Sequence, residues 1–180
     1  MASSPSLLTD DDIEIAAGEV RAYAEAVRER RGGQLLNLDR MLLHSLPFAL
    51  GWSALLGPVR NELDLPSRLR ELVICKVSRL TGAEYEYRLH SRLLLSMGAS
   101  EDLLVALDEP QPDPRHFDEP ERLALCLASE MTCRIEVDPA LRGQLLKILG
   151  ERRLVELVGL IATYNMVSRF LVALDVQLEA

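Results

Sequence analysis

At 180 residues, 48% of them hydrophobic, the chain can fill one core, and no break in composition divides it, so a single domain over 1–180 is expected. Its formal charge of -8, from 28 acidic against 20 basic side chains, argues against nucleic acid or an anionic membrane as partner, and no uninterrupted basic run exceeds the pairs Arg30-Arg31 and Arg152-Arg153. Three cysteines, Cys75, Cys126 and Cys133, are odd in number and lie within helical patterns, which argues against a disulfide framework and for a reducing, cytoplasmic setting.

Apolar residues recur at three and four rather than two, and aromatics make up only 4% of the chain, so the fold class read from the pattern is all-α. The first dozen residues end in an acidic cluster and lack the order of a signal peptide. A first helix opens at Asp10 to Asp12, where negative charge suits a helix N-terminus, and runs through Ile13, Ala17, Val20, Ala24 and Val27 to Gly32-Gly33. A short helix follows at about Leu38 to His44, and Pro47 starts another through Trp52 to about Val59. Pro66 opens the next, whose residues Leu69, Leu72, Val73, Val77 and Leu80 form one apolar stripe. Ile74, Cys75 and Ser78 give that helix a second apolar side, which carries Glu71 and needs cover from the following helix or another subunit. Thr81-Gly82 breaks the pattern before Ala83 to Met97, and Gly98 ends that helix. Ser100 opens a short helix to Leu107, and the three prolines between Glu109 and Pro114 make a loop. Helices then follow at about Glu119 to Thr132, Pro139 to Leu149 and Glu151 to Leu178. The last is nearly apolar all round, but Glu156, Asn165, Arg169 and Asp175 interrupt it and argue against a membrane span.

Within this order one feature carries chemistry. At a hundred degrees per residue, Ala83, Glu86, Tyr87, His90, Leu93, Leu94 and Met97 fall on one stripe of their helix, while Glu84, Arg88 and Arg92 point elsewhere. A carboxylate and an imidazole on an apolar stripe cost several kcal/mol unless each finds a partner, so they are either paired or used. Glu86 and His90, four apart, are within reach of each other. A neighbouring carboxylate favours the charged ring, whereas burial disfavours it, and such opposed shifts can place a proton donor and acceptor near neutral pH. A second pattern is an internal echo: Leu69-Arg70-Glu71-Leu72-Val73 recurs as Leu154-Val155-Glu156-Leu157-Val158, suggesting two related helical units, of which only the first is followed by a histidine.

The spacing of Glu71, Ala83, Glu86 and His90 resembles the carboxymuconolactone decarboxylase family, which includes the alkylhydroperoxidase D proteins. Leu65-Pro66, Ala83-Glu84-Tyr85-Glu86-Tyr87 and Tyr164-Asn165-Met166-Val167-Ser168-Arg169 extend the resemblance over a core of about 37–178, with 1–36 as an N-terminal helical addition. It implies an AhpD-like helical bundle and a homo-oligomer, as trimer, hexamer or dimer. In the alkylhydroperoxidase D branch the two positions held here by Ala83 and Glu86 are a redox-active cysteine pair, so the dithiol chemistry does not carry over. The site instead looks like the decarboxylase branch, which acts on small organic acids by proton transfer with neither metal nor organic cofactor.

On that resemblance His90 is expected as proton donor, Glu86 as the group that orients and charges it, and Glu71 as proton shuttle or substrate holder, for decarboxylation or a related proton transfer on a small carbonyl, lactone or carboxylic acid substrate. Tyr87, Trp52, His44 and Cys75 are candidate substrate-binding residues, each with a plainer reading as a packed side chain. Four alternatives stand beside this reading. Glu86 and His90 can be a structural pair; Glu71, Glu86 and His90 could hold iron, although the Glu-x-x-His spacing of di-iron helices is missing; and the chain could be a peroxiredoxin-type antioxidant using its cysteines or a non-catalytic ligand-binding oligomer.

Overall fold

A computed structural model describes residues 4–179, and among these there are nine helices and no strand. They pack as two compact units. One comprises the residues up to Pro58 together with those from Ala173 on; the other is Val59–Val172. No composition break marks either boundary.

The first unit holds α1 (Asp10–Ile15), α2 (Gly18–Arg30), α3 (Asn37–Leu42) and most of α4 (Leu46–Asn61). The single helix expected over Asp10 to Gly32 is in fact two. Thr9 and Asp12 close a capping box on α1, satisfying two N-terminal donors reciprocally. Ala16 then turns extended, at ψ 166°, ahead of Gly18, whose weak helix propensity the apolar spacing alone conceals. The break lets Ile13 join Ala24, Val27, Leu35 and Leu43 in a small core. Arg28 and Arg40 converge on Asp10, at 2.6 and 2.9 Å, and fasten the start of α1.

The second unit is organised by α5 (Ser67–Thr81), which packs against α6 (Glu84–Ser96) and α8 (Glu119–Cys133). Every residue from Glu71 to Ser78 is buried, so both apolar sides of α5 are covered from within the chain. Lys76 lies inside this buried run and donates from Nζ to the carbonyls of Leu107, at 2.6 Å, and Glu109, at 3.1 Å. Those carbonyls close the C-terminal end of α7 (Glu101–Ala106), so the lysine serves as a cap. Gly82, at φ 70°, ends α5 in the left-handed region that favours glycine, and α6 begins two residues later. The main core joins Leu72, Cys75, Leu94, Leu103, Leu107, Phe117 and Leu125, with Tyr87 packed at its edge.

A capping box of Asp118 and Glu121 starts α8 after the proline-rich loop. The two helices expected beyond it form α9 (Pro139–Ala173), broken at Gly150, whose φ of 77° no helical residue adopts. The helix ends before the expected Leu178, and Asp175, at φ 50°, leads the chain away. By length and composition α9 could cross a membrane, but half of its apolar window is buried inside the protein, as in a core helix.

Candidate functional site

Glu71 stands in the second turn of α5 and faces α6. Glu86 occupies the first turn of α6, where a carboxylate complements the positive end of the helix, and His90 follows one turn later. The three meet. His90 Nδ1 lies 2.5 Å from a Glu71 carboxylate oxygen, and Nε2 lies 3.0 Å from one of Glu86. All three residues are buried, Glu86 almost completely at 1% exposure.

With a carboxylate oxygen facing each nitrogen, the ring carries both protons, because a neutral imidazole has only one to offer. Burial pushes the imidazole toward its neutral form. The hydrogen bonds from Glu71 and Glu86 outweigh it and lift the His90 pKa to about 9. The ring is therefore an imidazolium at neutral pH. Tyr164, from α9, sets its ring edge-on to His90, with centroids 5.2 Å apart and planes at 89°. Burial pushes the Tyr164 hydroxyl up to about 12, so it stays a phenol.

A cavity of about 180 Å³ opens beside this cluster. Glu71, His90 and Tyr164 line it, with Arg60 and Arg70 as cationic wall and Val59, Ile74, Leu93 and Leu160 as apolar wall. Glu86 is absent from the lining, so it holds the imidazolium from behind, and Glu71 is the carboxylate that opens on the cavity. Leu93, expected inside with the rest of the α6 stripe, is 45% exposed, and Met97 is 47% exposed. That edge of the stripe borders the cavity and solvent, while Leu94 and Tyr87 turn to the core.

The structure brings together Glu71, Glu86 and His90. It does not bring the four expected binding residues into the cavity lining. Tyr87 packs against the main core with the Arg79 guanidinium 4.8 Å above its ring centroid. Cys75 is fully buried in the same core, and burial first, then the Glu71 charge, pushes its thiol well above the ordinary range, the opposite of an activated nucleophile. His44 and Trp52 belong to the first unit, where His44 Nε2 lies 2.8 Å from the Ser6 carbonyl oxygen and Trp52 packs its ring on Phe48. All three cysteines are free thiols. Among the described residues no group of three His, Cys, Asp or Glu side chains is set to hold a metal ion.

Arg60, Arg70 and Tyr164 were not singled out from the sequence as site residues. Arg70 adjoins Glu71 in the repeated five-residue pattern, and Tyr164 is a polar-tipped residue within an apolar helix, which are the signals that could have found them. The echo itself diverges in role: Glu156, the counterpart of Glu71, accepts from the Asp64 backbone N–H at 2.7 Å and from Arg152 at 3.0 Å, a structural duty.

Residues 47–107 match the Carboxymuconolactone decarboxylase family. No curated protein matches the chain. Among solved structures, an uncharacterized peroxidase-related protein from Silicibacter sp. TM1040 is similar at a TM-score of 0.77 and 19% identity, over 100% of this chain and 95% of that one. An alkylhydroperoxidase AhpD core protein from Ralstonia eutropha JMP134 is similar at 0.78 and 14%, over 98% and 92%. A cysteine variant of the debrominase Bmp8, in complex with 2,3,4-tribromopyrrole, is similar at 0.74 and 20%, over 97% and 91%. At such identities the structures establish the shared fold. Family match, fold and the Glu71, Glu86 and His90 spacing agree: the chain has an AhpD-like helical fold, and its residues 47–107 are similar to the carboxymuconolactone decarboxylase family.

Proposed function

We propose that the protein is an acid/base enzyme, working without an organic cofactor, on a small carbonyl, lactone or carboxylic acid substrate, by decarboxylation or a related proton transfer. The observation that carries this reading is a buried imidazolium held by two carboxylates, one of which opens on a cavity. An enzyme role also agrees with the similarity of residues 47–107 to the carboxymuconolactone decarboxylase family.

In a decarboxylation the bond between the α-carbon and the carboxylate breaks, carbon dioxide leaves, and the electron pair remains as an enolate that must be protonated. Both His90 nitrogens already face carboxylates, so the ring has no free N–H for the substrate. Glu71 is the group placed to deliver the proton. His90 Nδ1 gives its proton to the Glu71 carboxylate, the carboxyl passes it to the carbanion, and the ring, left neutral with Nε2–H still donated to Glu86, takes a proton back from solvent water to restore the imidazolium. Glu71 thereby takes the shuttle role that is one of its two expected duties, and His90 acts one step removed from the substrate.

A thiol peroxidase, the activity suggested by the names of some structural neighbours, fits less well. Ala83 and Glu86 stand where that branch carries its cysteine pair, and no cysteine lines the cavity. Free cysteines go with a cytoplasmic setting, and exposed Phe48, Leu55 and Val155 go with a homo-oligomer, which light scattering of the purified chain would test.

The functional test is turnover and solvent deuterium incorporation across a panel of small keto-acids and lactones, comparing wild type with Glu71→Gln. The expected result is loss of on the order of a hundredfold or more in the variant, with the fold intact. Equal rates in the two proteins would remove Glu71 from the chemistry and this reading with it.

A further inference from the structure

We infer that Tyr164 is a catalytic residue of the cavity, its hydroxyl donating to the substrate carbonyl oxygen on which negative charge gathers as the enolate forms. This rests on the acid/base reading of the Glu71–His90 cavity and supplies a part that reading leaves open. With both His90 nitrogens turned to carboxylates, the imidazolium has no N–H to offer that oxygen.

The first observation is an unpaired proton. Tyr164 is 1% exposed, and its hydroxyl is buried without a hydrogen-bond partner. Arg60 stands close enough to act on the hydroxyl oxygen, but a guanidinium only donates, so the phenolic proton gains no acceptor from it. Glu71 and Glu86 are near enough to disfavour the phenolate, yet their bonds go to His90. A buried donor without an acceptor destabilises the fold and marks a place where an oxygen belongs. Ser168 Oγ, one turn further along α9, is equally unpaired but does not line the cavity, so it has no ligand to meet there.

Position and chemistry agree with that role. Tyr164 shares the cavity lining with Glu71 and His90, and its edge-on contact with the imidazole, at 5.2 Å between centroids, fixes the phenol beside the group that recharges Glu71. Arg70, a second donor on the wall, is tied to the Arg60 carbonyl at 3.1 Å and to Ser67 Oγ at 3.2 Å. With its pKa held at about 12, chiefly by burial, the Tyr164 hydroxyl lends a hydrogen bond and keeps its proton. When a β-keto acid decarboxylates, the electron pair of the breaking carbon–carbon bond moves toward the carbonyl, carbon dioxide leaves, and the carbonyl oxygen becomes an enolate. The bond from Tyr164 strengthens as that charge grows, which is the condition for lowering a barrier rather than merely binding substrate. Glu71 then protonates the carbon, the pair returns to the C=O bond, and Tyr164 ends with the proton it began with. A ketone or lactone that loses an α-proton places its charge on the same oxygen, so one donor serves the whole class.

Acetophenone is the probe, a carbonyl on a ring: a cavity of about 150 Å³ holds benzene, and this one is about 180 Å³. Titrated into the full chain at neutral pH, it is expected to shift the His90 ring signals in NMR spectra. Its carbonyl stretch in the infrared is expected at lower wavenumber in wild type than in Tyr164→Phe, with Arg70→Met resembling wild type. On the keto-acid panel Tyr164→Phe should lose about a hundredfold in kcat with KM within about threefold. Its His90 titration should stay in place and its urea midpoint should not fall, because the deleted hydroxyl made no bond inside the protein. Equal carbonyl frequencies in wild type and Tyr164→Phe, a shift lost in Arg70→Met instead, or acetophenone that leaves the His90 signals unmoved overturns the inference. A Tyr164→Phe chain that unfolds overturns it too, by showing the hydroxyl to be a structural partner. A lowered carbonyl stretch in a protein that turns over no substrate overturns the acid/base reading alone; turnover that needs Glu71 and is unchanged in Tyr164→Phe overturns the Tyr164 assignment alone.

Discussion

Replacing Glu71 by glutamine should change not only how stable the protein is but how that stability depends on pH. His90 titrates at about 9 in the folded protein against 6.5 for an ordinary imidazole. A folded pKa above the unfolded one contributes stability that is complete below about pH 6.5 and is lost as pH rises through about 9. At about 1.4 kcal/mol per tenfold change in proton binding, that difference amounts to roughly 3 kcal/mol, a large share of a domain's total. The groups facing the ring are Glu71 from α5, Glu86 from α6 and Tyr164 from α9, with Arg60 and Arg70 along the cavity. Glu71 makes the shorter of the two carboxylate contacts, so Glu71→Gln should remove about half of the effect or more. Urea unfolding at about pH 6.5, 8 and 9.5 reads this as the difference between wild type and variant, largest at the lowest pH and shrinking by roughly 2 kcal/mol toward the highest. The Cys126 thiol, which burial pushes up, also weakens the fold at high pH but cancels in the difference; the Cys75 thiol is raised first by burial, which both proteins share, and then by the Glu71 charge, and the loss of that smaller part in the variant acts in the same direction as the loss at His90. Parallel curves for the two proteins, or a His90 ring that titrates below pH 6.5 by NMR, would refute the doubly held imidazolium.

Three further outcomes test the frame around the site. Lys76→Met should cost about 2 kcal/mol in urea unfolding, because it leaves the Leu107 and Glu109 carbonyls without their buried donor; an unchanged midpoint would show that water satisfies them. Tyr87→Phe keeps the ring beneath Arg79 and should leave turnover of the keto-acid and lactone panel unchanged and stability within about 1 kcal/mol, whereas a tenfold loss of turnover would return Tyr87 to the site. Gly150→Ala meets no atom within 4 Å of the added carbon, so its expected cost of about 1–2 kcal/mol in thermal unfolding is purely that of a left-handed backbone, and a neutral result would mean that the break relaxes to helix.

The α6 stripe and the glycine stops at Gly82 and Gly98 were legible because each follows from the local chain: 3.6-residue periodicity and the backbone freedom of glycine act over a few residues. Glu71, Glu86 and His90 stood out for a related reason, since ionisable groups on apolar faces have few explanations. The cavity wall was not legible. Arg60, Arg70 and Tyr164 come from α4, α5 and α9, and their convergence depends on packing between segments up to a hundred residues apart, which no periodicity encodes. The contacts of His90 were hidden on the same ground. Periodicity placed His90 and Glu86 side by side but could not show that Glu71 takes the second nitrogen and leaves the ring without a free donor. Tyr87 illustrates the limit within one helix: a stripe is wide enough for one edge to face the core and the other the cavity, and the sequence does not say which.

The imidazole of His90 is held at both nitrogens and against the edge-on ring of Tyr164, so it has no rotation left to lose when a ligand arrives. On the proposed function these contacts are already made before any ligand arrives, and binding energy need not be diverted to assembling them. The division of labour that results has an evolutionary consequence. On the proposed function, exchanging apolar wall residues such as Leu93 and Leu160 would retune which molecules enter while the clamp of two carboxylates on the imidazole stays intact.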